Sequence, residues 1–164
     1  MREWLVGGAV IENDDGLLLV RNLRRNGAFD WTPPGGVIEI DDDEDIREGL
    51  AREVHEETGL TITGWGHKLY EVEAIAPDLG WIMRAQIYHV TEVSGAVVVG
   101  NDPDGIVTAA EYVPANRCQE QLDGTHRWVS EPLTEWLVHR YTEPRRYRYR
   151  LEGTAQGRGR IVRV

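Results

Sequence analysis

The chain has 164 residues, with 18 Lys and Arg against 28 Asp and Glu, a formal charge of −10. That length suits one domain with a sizeable core, and 41% hydrophobic with 28% charged residues excludes a disordered chain. No apolar run reaches the roughly 18 residues of a membrane helix, the N-terminal MREWLVGGAV lacks a secretory pattern, and one cysteine, Cys118, excludes an internal disulfide or a cysteine metal cage. The expectation is a cytoplasmic protein that engages no membrane. The acidic balance argues against nucleic acid as a partner, because nonspecific binding rests on Lys and Arg.

In chain order, residues 4–12 and 17–21 are apolar and β-rich, and Asn13-Asp14-Asp15-Gly16 between them predicts a hairpin. Residues 22–36 are expected as a loop ending in Pro33-Pro34-Gly35-Gly36, which cannot continue a helix or a central strand. Residues 44–58 predict a helix, with Asp42 or Asp43 as cap and Gly59 at its C-terminal end. Residues 68–76 and 81–93 predict two strands joined by Pro77-Asp78-Leu79-Gly80, and Val97–Val99 and Glu111–Pro114 two short ones around a turn-rich loop. Leu133, Trp136, Leu137 and Tyr141 at helical spacing predict a second helix over 132–142. Strands with two or three helices imply an α/β or α+β layered domain.

Charge divides the chain into a body, 1–143, and an extension, 144–164. The extension holds seven arginines and one acid, Glu152, a net +6, which leaves −16 on the body. Arg and Tyr alternate over 145–150, a Gly-rich stretch follows, and β-rich residues resume at Arg160. This predicts a hairpin that completes the sheet or contacts a second copy in a homodimer. An arginine contact to an anionic substrate ranks next, and nucleic acid last.

The first helix carries the chemistry. At about 100° per residue from Ile46, Leu50 falls near 40° and Val54 near 80° on the core-seeking face. Glu57 falls at about +20° and Glu53 at about −20°, so both continue the apolar stripe; Glu56 lies at about −80° and His55 on the opposite side. A solvated acidic face would put its acids opposite the stripe. Carboxylates directed inward need a positive counterpart, and oxygen-only ligands point to a hard divalent cation, Mg²⁺ or Mn²⁺.

The segment Arg52-Glu53-Val54-His55-Glu56-Glu57-Thr58-Gly59-Leu60 resembles the core of the Nudix box at all nine positions, with Glu44 at the box spacing and Pro34-Gly35-Gly36 opening it. Seven residues stand between Gly36 and Glu44 where the family has five. The resemblance, to MutT-like Nudix hydrolases, implies an α/β/α sandwich with a mixed sheet. It also implies hydrolysis of the diphosphate bond in a nucleoside diphosphate linked to another group. Glu53, Glu56 and Glu57, with Gly36, would hold metal. Glu53 or Glu57 would orient or deprotonate the attacking water, Arg52 would hold a box glutamate, and Glu44 would be a further ligand or orienting acid. Acids outside the box that could assist are Asp102, Asp104 and Glu111.

Recognition of a nucleotide-type small molecule is assigned to Arg24 and Arg25, with Arg21 nearby, and to Trp31 and Trp81, with Phe29, as stacking surfaces. Sixteen residues separate Leu60 from Pro77, which resembles the proline placement of ADP-ribose pyrophosphatases and favours ADP-ribose or a nucleotide sugar over a nucleoside triphosphate. Two alternatives are a noncatalytic nucleotide-sensing module, which the intact box glutamates oppose, and a prenyl-diphosphate isomerase, for which Cys118 stands in no suitable motif.

Overall fold

A computed structural model describes residues 1–39 and 45–164. Among these residues nine strands form one curled, mixed sheet in the order β3-β2-β1-β6-β5-β8-β9, with β4 also on β1 and β7 also on β2. The strands are β1 (Arg2–Asn13), β2 (Gly16–Leu23), β3 (Phe29–Thr32), β4 (Gly35–Val37), β5 (Thr61–Ala76), β6 (Trp81–Ser94), β7 (Val107–Val113), β8 (Arg145–Glu152) and β9 (Arg160–Arg163). The helices are α1 (Ile46–Thr58), α2 (Ala115–Gln121) and α3 (Arg127–His139). Pairs β1/β6 and β5/β8 are parallel and the rest antiparallel. The expected mixed α+β architecture is the one found.

Alternation along the strands builds two cores. On β1 and β2, Ala9, Ile11 and Leu18 meet Leu50 and Val54 of α1, whereas Val10, Leu17 and Leu19 face Leu122, Leu133 and Trp136 from the side of α2 and α3. Successive strand residues point to opposite faces, so near-continuous apolar runs mark strands buried on both sides.

Several expectations need correction. The hairpin at 13–16 is real, with Asn13 Oδ1 accepting from the Asp15 and Gly16 amides at 2.8 and 3.2 Å. Yet β1 and β2 register only over Glu12–Leu17 and Asn13–Gly16 before β1 departs to pair with β6. The supposed loop 22–36 contains β3 and the start of β4, and Gly35 and Gly36 pair with Gly8 and Gly7. A Cβ on Gly35 would stand 2.0 Å from the Gly7 carbonyl oxygen, so glycine is what lets the two backbones meet. The cap of α1 is Asp45, whose Oδ1 accepts from the Arg47 amide at 3.2 Å; Asp42 and Asp43, named as caps, lie outside the described residues.

Val97–Val99 is not a strand, and the Val98 amide donates to the Thr58 carbonyl at 2.8 Å at the end of α1. The strand expected at Glu111–Pro114 runs from Val107 to Val113 on β2, and α2 follows it directly. Helix α3 covers 127–139, not 132–142. It stops because Arg140 turns left-handed, at φ 47°, and sends its guanidinium to both Glu12 oxygens at 2.8 and 2.9 Å. The extension forms the β8–β9 hairpin, and β8 pairs along β5.

Candidate active site

Helix α1 places the box glutamates where its wheel put them. Leu50 and Val54 are fully buried, Glu57 is 5% exposed, Glu53 and Glu56 are half-buried, and His55 is exposed. The helix ends at Gly59, which is left-handed at φ 76° and donates to the His55 carbonyl at 2.9 Å, as a C-terminal glycine cap does. This closure delivers Glu53 and Glu57 to the edge formed by β4.

Contact there is intimate. The Gly35 amide donates to both Glu57 oxygens at 3.2 and 3.3 Å. A Cβ on Gly36 would lie 2.9 Å from the Glu53 carboxyl carbon, so Gly36 leaves the space that carboxylate occupies. Arg52 Nη1 donates to Glu53 at 3.3 Å and to Glu56 at 3.4 Å, and so links two acids on one helix turn.

The electrostatics are those of a charge deficit. Burial pushes Glu57 up to about 9; the Gly35 hydrogen bond pulls against this, while Glu53, Asp102 and Glu56 add to it. Burial raises Glu53 to about 7 against the opposing pull of Arg52, with Glu56 and Asp102 adding repulsion. A buried carboxyl opposed by one amide and several like charges favours its neutral form. These two groups therefore fit a hard divalent cation, which would supply the missing positive charge. Among the described residues no three acidic, histidine or cysteine side chains converge into a ready-made cage. Glu56 turns to Arg52, and Glu44 lies outside the described residues.

Of the acids outside the box, Asp102 is the one the fold brings into the field of Glu53 and Glu57. Its carboxylate also accepts from the amides of Asp104, Ile106 and Val107 at 3.2, 3.0 and 3.0 Å, which shapes the loop entering β7. The sequence signal was the Asn101-Asp102-Pro103-Asp104-Gly105 turn, which marks a turn but not its distance from α1. Glu111 is exposed on β7, opposite Leu19 of β2, and Asp104 is exposed in the loop.

The residues expected to meet substrate divide. Arg24 is held by Asp30 through two bonds of 2.8 and 2.9 Å. Arg25 is exposed in the turn before β3, and Arg21 donates to Thr108 at 3.0 Å with its guanidinium 4.5 Å from the centre of the Phe29 ring. Trp31 packs against the core. Trp81 belongs to a row that spacing did not reveal: Trp4, Trp81, Trp128 and His126 have successive ring-centre separations of 5.6, 6.2 and 4.3 Å. The row unites residues from β1, β6 and the start of α3, and its members are partly or fully exposed. Pro77 opens a short 3₁₀ turn whose Asp78 accepts from Thr154 at 3.1 Å, so this turn is tied to the C-terminal hairpin.

Comparison with known proteins bears on the family and the fold. A family model described as the NUDIX domain matches residues 2–137. A MutT-like protein of Streptomyces ambofaciens is 46% identical over 57 residues, which are 35% of this chain and 34% of that protein, so the match spans about a third of the relative. The solution structure of the E. coli ORF135 protein superposes with a TM-score of 0.69 at 22% identity, over 87% of this chain and 96% of that one. An ADP-ribose pyrophosphatase from Streptococcus suis gives a TM-score of 0.54 at 18% identity, over 87% and 98%. The two structural likenesses concern the fold.

Proposed function

The chain belongs to the NUDIX family of pyrophosphohydrolases, and on that premise we propose that it cleaves the diphosphate bond of a nucleoside diphosphate linked to another moiety. The observation that carries this reading is Glu57, buried at 5% exposure beside Glu53.

Glu53 and Glu57 would hold Mg²⁺ or Mn²⁺, with Glu56, the Gly36 carbonyl and Glu44 as further ligands. Such an ion, when bound, neutralises phosphate oxygens and makes a water more acidic. The chain's own residues do the rest. The Gly35 amide orients Glu57, and Arg52 holds Glu53 and Glu56 by charge-assisted hydrogen bonds. Glu53 or Glu57 would orient the attacking water or take its proton. The row of Trp4, Trp81, Trp128 and His126 offers faces on which a base can stack. Arg25 contributes positive charge at the surface, whereas Arg24 acts through Asp30.

For the linked moiety we favour ribose phosphate or a sugar over a further phosphate. The placement of Pro77 supports this. The test is a panel of ADP-ribose, nucleotide sugars, dinucleoside polyphosphates and nucleoside triphosphates with Mg²⁺ or Mn²⁺. Hydrolysis of ADP-ribose or a nucleotide sugar ahead of the triphosphates is expected. Metal-binding protein that turns over none of them would defeat the reading.

A further inference from the structure

On the side of the sheet that carries α1, the far ends of four strands form a face that no helix covers among the described residues. Paired residues share a face, so the registers define its rows. One row runs Glu3, Ile82, Ile75, Arg150 across β1, β6, β5 and β8; the next runs Leu5, Arg84, Glu73, Arg148. The charged residues Glu3, Arg84, Arg148 and Arg150 are exposed, and Ile75 and Ile82 are partly exposed between Glu3 and Arg150. Two of the three seams here are parallel pairs, and parallel strands are as a rule covered on both faces.

The face has a polarity. Its β1 edge carries Glu3, its β8 edge carries Arg148 and Arg150, and Arg84 and Glu73 stand side by side at the centre. We propose that this face docks a second copy of the chain across a two-fold axis parallel to the strands and above the β6–β5 seam. That axis maps each row onto itself with its ends exchanged. Glu3 of one copy then meets Arg150 of the other, Arg84 meets Glu73, and Ile82 lies over Ile75. Every contact occurs twice, as a two-fold interface requires, and aligned sheets stack face to face in this way. Charge favours this occupant: one rotation brings both acids of the two rows, Glu3 and Glu73, against the arginines Arg150 and Arg84, and sets Arg148 over Leu5.

Within one chain Glu3, Glu73, Arg84 and Arg150 already take part in exposed ion pairs. Arg84 lies 3.4 Å from Glu3 and 3.3 Å from Glu73, and Arg150 lies 3.9 Å from Glu152. The test is light scattering and sedimentation of the full chain across a concentration series. The expected result is a dimer that weakens with salt, as exposed charge pairs do. Arg150→Glu and Glu3→Arg should each raise the dissociation constant by about tenfold or more, since each sets like charges in contact. The double variant Glu3→Arg/Arg150→Glu should recover most of the affinity. Circular dichroism confirms folding of each variant. A monomer at every concentration, a dimer unmoved by either reversal, or a double variant no better than the singles would each overturn the proposal.

Discussion

Helix α1 and the C-terminal hairpin are both dense in charge, and they place it in opposite ways. On α1 the acids Glu53 and Glu57 continue the apolar stripe and lose water. On β8 the period of two sends Tyr147 and Tyr149 into the core and leaves Arg146, Arg148 and Arg150 in solvent. The consequence is electrostatic. Buried carboxyls shift far from their ordinary range and become a site, while exposed guanidiniums keep their hydration and remain a surface. Charge alone thus says little; which face of an element carries it decides whether it is chemistry or solvation.

The sharpest way to break this contrast is Glu57→Gln. Turnover should fall by about 10²–10⁴-fold, while the metal-free protein melts at the same or a higher temperature, because the amide oxygen still accepts from Gly35 and needs no proton to be neutral. Near-normal turnover would place Glu57 outside the reaction. Removing the cation with a chelator should abolish hydrolysis as fully. Adding Mg²⁺ or Mn²⁺ should raise the melting temperature of wild type and not of Glu57→Gln, since a ligand stabilises only the form that binds it.

A smaller effect is expected from Gly36→Ala, whose Cβ would meet the Glu53 carboxyl at 2.9 Å. Displaced catalytic geometry costs on the order of tenfold to a hundredfold in rate, and steady-state kinetics on a folded variant measures it.

The pH dependence of metal-free stability sharpens the same point. Glu57 is raised from 4.5 to about 9, so the folded protein holds this proton more tightly than the unfolded chain. Its contribution is complete below pH 4.5 and is lost as pH rises toward 9. Denaturant melts across that window should show the decline, and Glu57→Gln should flatten it.

At the hairpin the changes should be slight. Arg163→Ala removes bonds of 3.0 and 3.4 Å to Glu135, an exposed pair worth about 0.2–1 kcal/mol. A much larger loss in thermal melts would show that the hairpin's charges are structural after all.

Much of this was legible beforehand. The wheel of α1 placed Glu57 inward and His55 outward because a helix has a fixed angle per residue, and the Arg–Tyr alternation of β8 was legible because a strand has a fixed period. Gly35 and Gly36 read as chain breakers, yet they form β4, because β1 supplied a partner with its own glycines, Gly7 and Gly8. Val97–Val99 carried a strand-like run and formed no strand, because its amide at Val98 closed the end of α1 instead. Arg24 looked available for a phosphate until Asp30, six residues on, was folded against it.

By itself, then, the sequence determined the helix with its inward acids, the tail hairpin and the family. All three depend on periods and spacings internal to one segment. Only tertiary structure decided that Asp102 acts on Glu53 and Glu57, that four aromatic rings from three elements form one row, and that Glu3 and Arg150 end the same row of a sheet. Those are meetings between distant segments, and they follow from strand order and register, which no local pattern contains.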